Sequence, residues 1–270
     1  MTAQHRSPRF QGKIIIVTGA STGIGRALAR DFARAGATVV MIARNQARVE
    51  RAAAEITDGK VIPLAGDVTN RCQVDSLVQQ VISQWGRIDI LVNNAGAGLI
   101  APLDLIPIAD ARALFETNFF GTLNFIQAVV PAMKHQGHGH IVNMASVAGL
   151  RGIPNSSIYS ASKAAVIALS EALRIELHSA GIAVTIICPS RVQLDETGFF
   201  TTAKKYGNVE LYKLPSQLTA ATVARVTLDA TALRQRLVIL PGHARWMHLA
   251  NKFAPRLVDR ILLKNLPRPV

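Results

Sequence analysis

The sequence predicts one α/β domain, a doubly wound, seven-stranded parallel sheet with helices on both faces. Three observations predict it. Short apolar runs alternate with helical stretches along the chain, the pattern of repeated βαβ units. A glycine-rich turn, Thr18–Gly25, follows the first apolar run and opens an amphipathic helix. The chain has 270 residues, 49% of them hydrophobic, enough for one large core.

The predicted strands are Ile14–Thr18, Thr38–Ile42, Val61–Leu64, Ile88–Val92, His140–Met144, Ala183–Cys188 and Leu237–Leu240. Helical periodicity fills the stretches between them, most extensively over Ala109–Lys134 and Ile158–Ala180. From Pro189 to Gln217 no periodicity is clear, and Gly198, Gly207 and Pro215 mark an ordinary surface connection, with a mobile loop over a site as the alternative. No repeat, linker or low-complexity segment divides the chain. Residues 1–242 are expected to form the catalytic unit and 243–270 a basic amphipathic extension.

After the first strand stands Thr18-Gly19-Ala20-Ser21-Thr22-Gly23-Ile24-Gly25. Glycines permit a tight turn and let the backbone approach a phosphate. The helix that follows presents unpaired N–H groups and its positive dipole end to a pyrophosphate. Gly19, Ser21, Thr22, Gly23, Ile24 and Gly25 are therefore candidate cofactor contacts in a Rossmann-type fold. The second strand runs into Ala43-Arg44, where an NAD-selective site usually places a carboxylate for the ribose 2′-hydroxyl; the next acid is Glu50. Arg44 can instead pair with a 2′-phosphate. The expected cofactor is NADP, as NADPH, in preference to NAD.

Tyr159 and Lys163 stand four apart in the second long helical stretch and share one face, with Ser146 thirteen residues before the tyrosine. A tyrosine hydroxyl titrates near ~10. A lysine held beside it is expected to lower that value and make the phenol a usable proton donor and acceptor near neutrality. Ser146 would hydrogen-bond the substrate oxygen.

With these residues in place, the chain from Lys13 to Gly242 resembles the short-chain dehydrogenase/reductase family in its compact Tyr-x-x-x-Lys form. Thr18–Gly25 is similar to the family's cofactor turn, Asp67-Val68 to its adenine contact, and Asn93-Asn94-Ala95-Gly96 to its N-N-A-G segment. Asn118 matches its fourth catalytic position. The resemblance implies that Asn118, Ser146, Tyr159 and Lys163 carry catalysis. Tyr159 would be the proton donor in reduction. Lys163 would bind the nicotinamide ribose, and Asn118 would hold a water leading to bulk. It adds Asp67, Val68, Asn94, Ala95, Gly96, Pro189 and Val192 to the cofactor contacts. One segment departs. Where the family often has Pro-Gly-x-x-x-Thr after its sixth strand, this chain has Ser190 at the glycine and Leu194 at the threonine, with Thr197 three residues on.

Cys72 and Cys188 are expected to be reduced thiols. His135, His138 and His140 are interleaved with glycines in a surface turn, and no metal site is expected. No apolar run reaches the roughly 18 residues of a membrane span. Met1–Lys13 lacks the apolar stretch of a signal peptide, so the expected location is cytoplasmic.

The net charge is +13, and from Arg234 onward eight Lys or Arg face one acid, Asp259. Within this tail Trp246, Leu249, Ala250, Phe253, Leu257 and Ile261 recur at helical spacing, with Lys252, Arg256, Arg260 and Lys264 as a basic side and Pro255 starting a second helix. The tail is expected to pack this stripe on the domain or on a partner subunit, with peripheral contact to an anionic membrane as the alternative.

The expected activity is NADP-dependent hydride exchange with a lipophilic carbonyl or secondary alcohol, steroid-like or fatty. Phe199 and Phe200 would line an apolar pocket in a stretch with few charges. The alternatives are a reductase of 3-oxoacyl groups on an acidic carrier protein, and a non-catalytic NADP- or nucleic-acid-binding protein. No aromatic residues lie in a basic groove, so nucleic acid is not an expected partner. The resemblance implies a homodimer or homotetramer built on the two long helices, where Val166, Leu169, Leu173 and Leu177 recur at helical spacing, a pattern that burial within the subunit would also give.

Overall fold

A computed structural model describes residues 9–193, 203–207 and 218–264. Its centre is a seven-stranded sheet, every pairing parallel. The strands are β1 (Ile14–Thr18), β2 (Thr38–Ala43), β3 (Lys60–Ala65), β4 (Ile90–Asn93), β5 (Gly139–Met144), β6 (Ile182–Pro189) and β7 (Leu237–Leu240). Their spatial order is β7-β6-β5-β4-β1-β2-β3. The strand order reverses beside β1, the point at which open parallel sheets bind ligands beyond their carboxyl ends.

Both faces of the sheet are covered, which is why its strands are almost continuously apolar. Alternate residues of β1 serve opposite cores. Ile15 and Val17 join Leu28, Phe32 and Val223 on one face, and Ile14 and Ile16 join Val74, Phe125 and Met133 on the other. The first core is closed by α1 (Gly23–Arg34), α2 (Gln46–Ala54) and α8 (Ala220–Ala232). The second is closed by α3 (Arg71–Trp85), α5 (Gly121–Gln136) and the inner side of α7 (Ser157–Glu176).

The first long helix is interrupted. It runs as α4 (Ile108–Phe115), a π-helical turn over Glu116–Phe120, and then α5. The turn carries Asn118. π-helical insertions of this kind recur at functional sites. Leu194, Thr197, Phe199 and Phe200 lie outside the described residues. Within the same region Lys204–Lys205 pairs with Leu99–Ile100. Lys204 donates to Asp110 at 2.7 Å, and the Tyr206 hydroxyl also donates to Asp110.

The three histidines of the predicted turn diverge. His135 is exposed, His138 sits by Arg87 and the Gln136 carbonyl, and His140 is buried on β5 against Thr185. Cys72 is exposed on α3 and Cys188 buried on β6, both as free thiols.

The tail does not pack the expected stripe on the domain. It forms α9 (Ala244–Phe253) and α10 (Pro255–Lys264), with Pro255 at the first position of the second helix. The residues that seat it are Val258 and Leu262, packed on Ile153 and Ala250, together with an ion pair from Arg151 to Asp259. Trp246, Leu249, Phe253, Leu257 and Ile261 stay exposed. A helix can cover only one stripe against a domain, and here the covered stripe is not the longest apolar one.

Burial within the subunit accounts for the apolar spacing on α7. Val166 and Leu177 are buried inside the subunit, and Leu169 and Leu173 pack against its core. The face of α7 that α7 turns outward instead carries Ala161, Ala164, Ala168, Ala172 and Ile175.

Candidate active site

A cleft of about 370 Å³ opens along the carboxyl ends of the strands. Its first wall is the turn after β1. Gly19 has a φ of +63°, and an added Cβ would stand 2.8 Å from Ala95 Cα. Asn94 fastens the turn: its side-chain amide donates to the carbonyls of Thr18 and Gly19 at 3.0 and 3.2 Å. The Thr18 hydroxyl in turn accepts the backbone N–H groups of Asn94 and Ala95, both at 3.0 Å. Gly19, Ser21, Thr22, Gly23 and Ile24 line the cleft. Gly25 does not. It lies behind the turn, where a Cβ would come within 2.2 Å of the Gly19 carbonyl oxygen, so its glycine serves packing.

The residues fit a nicotinamide dinucleotide. Thr22, at the N-cap of α1, makes no side-chain cap bond, so the first amides of the helix are left for a ligand. The crowding at Gly19 keeps side chains off the surface where a pyrophosphate would lie. At the end of β2, Ala43 and Arg44 line the cleft, and Arg48 joins them from the first turn of α2. Both arginines are exposed. Glu50 does not line the cleft and accepts from Gln46 at 2.5 Å. Asp67 and Val68 lie in the same wall. The Asp67 carboxylate accepts the backbone N–H and the hydroxyl of Thr69, each at 2.9 Å.

The opposite wall carries Ser146, Tyr159 and Lys163, followed by Pro189 and Val192. Ser146 stands two residues beyond β5 and caps the short helix α6 (Val147–Leu150), its hydroxyl accepting from Ala148 N–H at 3.1 Å. It also hydrogen-bonds the Tyr159 hydroxyl. Lys163, one turn beyond Tyr159 on α7, is buried and donates to the Met144 carbonyl at 2.8 Å. A Cβ at Gly96 would lie 3.6 Å from the Lys163 ammonium nitrogen, so Gly96 keeps the cleft open beside it.

The electrostatics depart from the expectation. Burial pushes the Tyr159 phenol up to about 12, with the Ser146 hydrogen bond opposing and Cys188 adding to the rise. Burial likewise pushes Lys163 down to about 8. The Lys163 ammonium is turned to the Met144 carbonyl. The phenol is held in its protonated form at neutral pH.

Asn118 is fully buried and does not line the cleft. Its side-chain carbonyl accepts from Ala97 N–H at 2.7 Å, and its amide donates to the Ala97 carbonyl at 3.1 Å and to Ser162 Oγ at 3.0 Å. It stands behind Gly96, 3.3 Å from where that residue's Cβ would be.

Sequence reasoning missed Arg48, Ile153, Ser156, Ser190 and Arg191, which also line the cleft. Arg48 had a signal, since it is a second arginine four residues after Arg44, at the start of the next helix. Ile153 and Ser156 had none, because the loop before α7 has no period to read.

The sequence profile of the short chain dehydrogenases matches residues 13–204. The chain belongs to the short chain dehydrogenase family. It is 33% identical over 258 residues to the ketoacyl reductase HetN of Nostoc sp., covering 93% of this chain and 88% of that one. It is 34% identical over 256 residues to an 11-beta-hydroxysteroid dehydrogenase-like protein of Arabidopsis thaliana, covering 93% of this chain and 84% of the relative. A crystal structure of a short chain dehydrogenase/reductase from Burkholderia phymatum in complex with NAD superposes with a TM-score of 0.81 at 29% identity, covering 92% of this chain and 96% of that one. As a member of this family the protein is an oxidoreductase of carbonyl and CH–OH groups that binds a nicotinamide cofactor.

Proposed function

We propose that this protein is an NADPH-dependent reductase of a lipophilic ketone or aldehyde, with residues 1–242 as the catalytic unit. The observation that carries it is one cleft holding both halves of the chemistry. The glycine turn and Arg44 line one wall, and the Ser146–Tyr159 hydrogen bond with Lys163 lies on the other.

When bound, the cofactor supplies a hydride to the substrate carbon. Gly19, Ser21, Thr22, Gly23 and Ile24 would cradle its phosphates, and Asp67, Val68, Asn94, Ala95, Gly96, Pro189 and Val192 would shape the rest of the groove. Arg44 and Arg48 offer two guanidinium groups to a 2′-phosphate, and no carboxylate at the end of β2 competes for it. Tyr159 donates the proton to the carbonyl oxygen, and Ser146 holds that oxygen in line. A phenol that burial raises to about 12 is protonated at neutral pH, the form that donates a proton in the reductive direction. Lys163 holds the nicotinamide ribose. Asn118 acts from behind the cleft, fixing Ala97 and the catalytic helix.

A lipophilic substrate is supported by Ile153 and Val147 in the cleft wall and by the hydroxysteroid dehydrogenase-like relative. A second reading, a reductase of 3-oxoacyl groups on an acidic carrier, is favoured by the basic tail and by the ketoacyl reductase relative. We also propose a homodimer through the outward alanine face of α7. The deciding experiment follows NADPH oxidation by absorbance with steroid ketones, long-chain aldehydes and 3-oxoacyl thioesters. Turnover of the first two classes well above the third is the expected result. No turnover of any carbonyl with NADPH or NADH would sink the reading.

A further inference from the structure

We propose that the α9–α10 pair is a docking surface for an anionic lipid membrane, on which the protein lies without crossing it. The helices present an apolar stripe that the fold leaves uncovered. Trp246, Leu249 and Phe253 follow one another along one side of α9, with Trp246 74% and Phe253 85% exposed. Leu257 and Ile261 continue the stripe one turn apart on α10 and are also exposed. Large aromatic and aliphatic side chains in such a row, rather than singly, mark a surface that something covers.

Charge identifies what covers it. On a helical projection Arg245 and Lys252 border the α9 stripe, and Arg256, Arg260 and Lys264 border the α10 stripe on the side away from buried Val258 and Leu262. All five basic residues are exposed. The single acid of the pair, Asp259, points back to the domain and is taken by Arg151, so it does not offset the rim. An apolar stripe with a cationic rim suits the boundary between acyl chains and anionic headgroups, with indole and phenyl rings at that level. No helix among the described residues is long and apolar enough to cross a membrane, so contact is restricted to one leaflet.

The seating of the pair links this surface to the cleft. Val258 and Leu262 pack on Ile153, and Ile153 lines the cleft. A membrane under α9 and α10 would therefore lie close to the entrance through which an apolar substrate must pass. The docking itself does not depend on the carbonyl reductase reading, because its test reads binding alone.

The test uses the full chain with vesicles of phosphatidylcholine, or of phosphatidylcholine and phosphatidylglycerol in equal parts. Co-sedimentation with the anionic vesicles is expected, reduced about tenfold or more by raised salt, with little binding to the neutral ones. The triple charge reversal Lys252→Glu, Arg256→Glu, Arg260→Glu and the pair Phe253→Asp, Leu257→Asp should each abolish it. Both alter exposed side chains, so turnover of a water-soluble carbonyl should persist. Vesicles should also blue-shift the tryptophan emission of the wild type, and Trp246→Phe should remove that shift. Three results would each overturn the proposal: no binding to anionic vesicles at low salt, equal binding by neutral vesicles, or binding unchanged in both variants. So would an oligomer that Phe253→Asp dissociates in a chain indifferent to vesicles, since a second copy would then be the occupant.

Discussion

The side-chain amide of Asn118 donates to the Ser162 hydroxyl at 3.0 Å, and both groups are buried. Ser162 in turn donates to the Tyr159 carbonyl at 2.8 Å. The π-helical turn is thus tied to α7 immediately before Lys163. Ser162→Ala should remove this tie while leaving the Asn118 amide bonded to Ala97. One neutral hydrogen bond is worth about 0.5–1.5 kcal/mol. The expected result is a fall in kcat of about 2- to 10-fold with cofactor affinity nearly unchanged, read by steady-state kinetics and NADPH titration.

Tyr159→Phe keeps the ring and removes the proton. We expect kcat to fall by about 10² or more, the scale of general acid contributions, with cofactor binding kept. Lys163→Ala should weaken both turnover and cofactor affinity. Near-normal turnover in the phenylalanine variant would remove Tyr159 from the proton path.

Arg44→Ala should weaken NADPH more than NADH, by about 10- to 150-fold if one charge-assisted partner worth about 1.5–3 kcal/mol is lost. Arg44→Ala combined with Arg48→Ala should lose more, and Ala43→Asp should turn preference towards NADH. Cofactor titrations of each variant measure this. A wild type that already prefers NADH would refute the assignment of the two arginines.

Stability should fall in acid through His140. Burial, with a smaller contribution from Arg234, lowers its pKa from 6.5 to about 4. The Thr185 hydroxyl donates to the Gln235 carbonyl at 2.6 Å, so it accepts from His140 Nε2–H at 2.8 Å, and the ring sits neutral. Between about pH 6.5 and 4 the unfolded chain binds the proton and the folded one does not. Stability is therefore complete above 6.5 and declines as pH falls towards 4, by on the order of 3 kcal/mol. Urea denaturation across that window should show the slope, and His140→Gln should flatten it.

The outward alanines of α7 allow two helices to approach closely. Ala168→Arg should split the proposed dimer. Light scattering should then report 29 kDa particles for the variant and larger ones for the wild type. A wild type at 29 kDa at micromolar concentration would rule out a stable oligomer.

Much of the molecule is local and was therefore legible in the sequence. Seven apolar runs gave seven strands because strands covered on both faces are largely apolar along their length. The glycine turn was legible because only glycine tolerates the approach of Ala95 to Gly19. Tyr159 and Lys163 were placed together by helical spacing alone. What the tertiary structure decided depends on which surfaces meet. Asn118 went behind the cleft because the π-helical turn aims it at Ala97 and Ser162. The tyrosine rose to about 12 because burial outweighs the Ser146 hydrogen bond, while Lys163 faces the Met144 carbonyl. The tail turned its longest apolar stripe outward because Ile153 receives Val258 and Leu262 instead. Spacing fixes which residues share a face, whereas burial is a property of the partner that face meets.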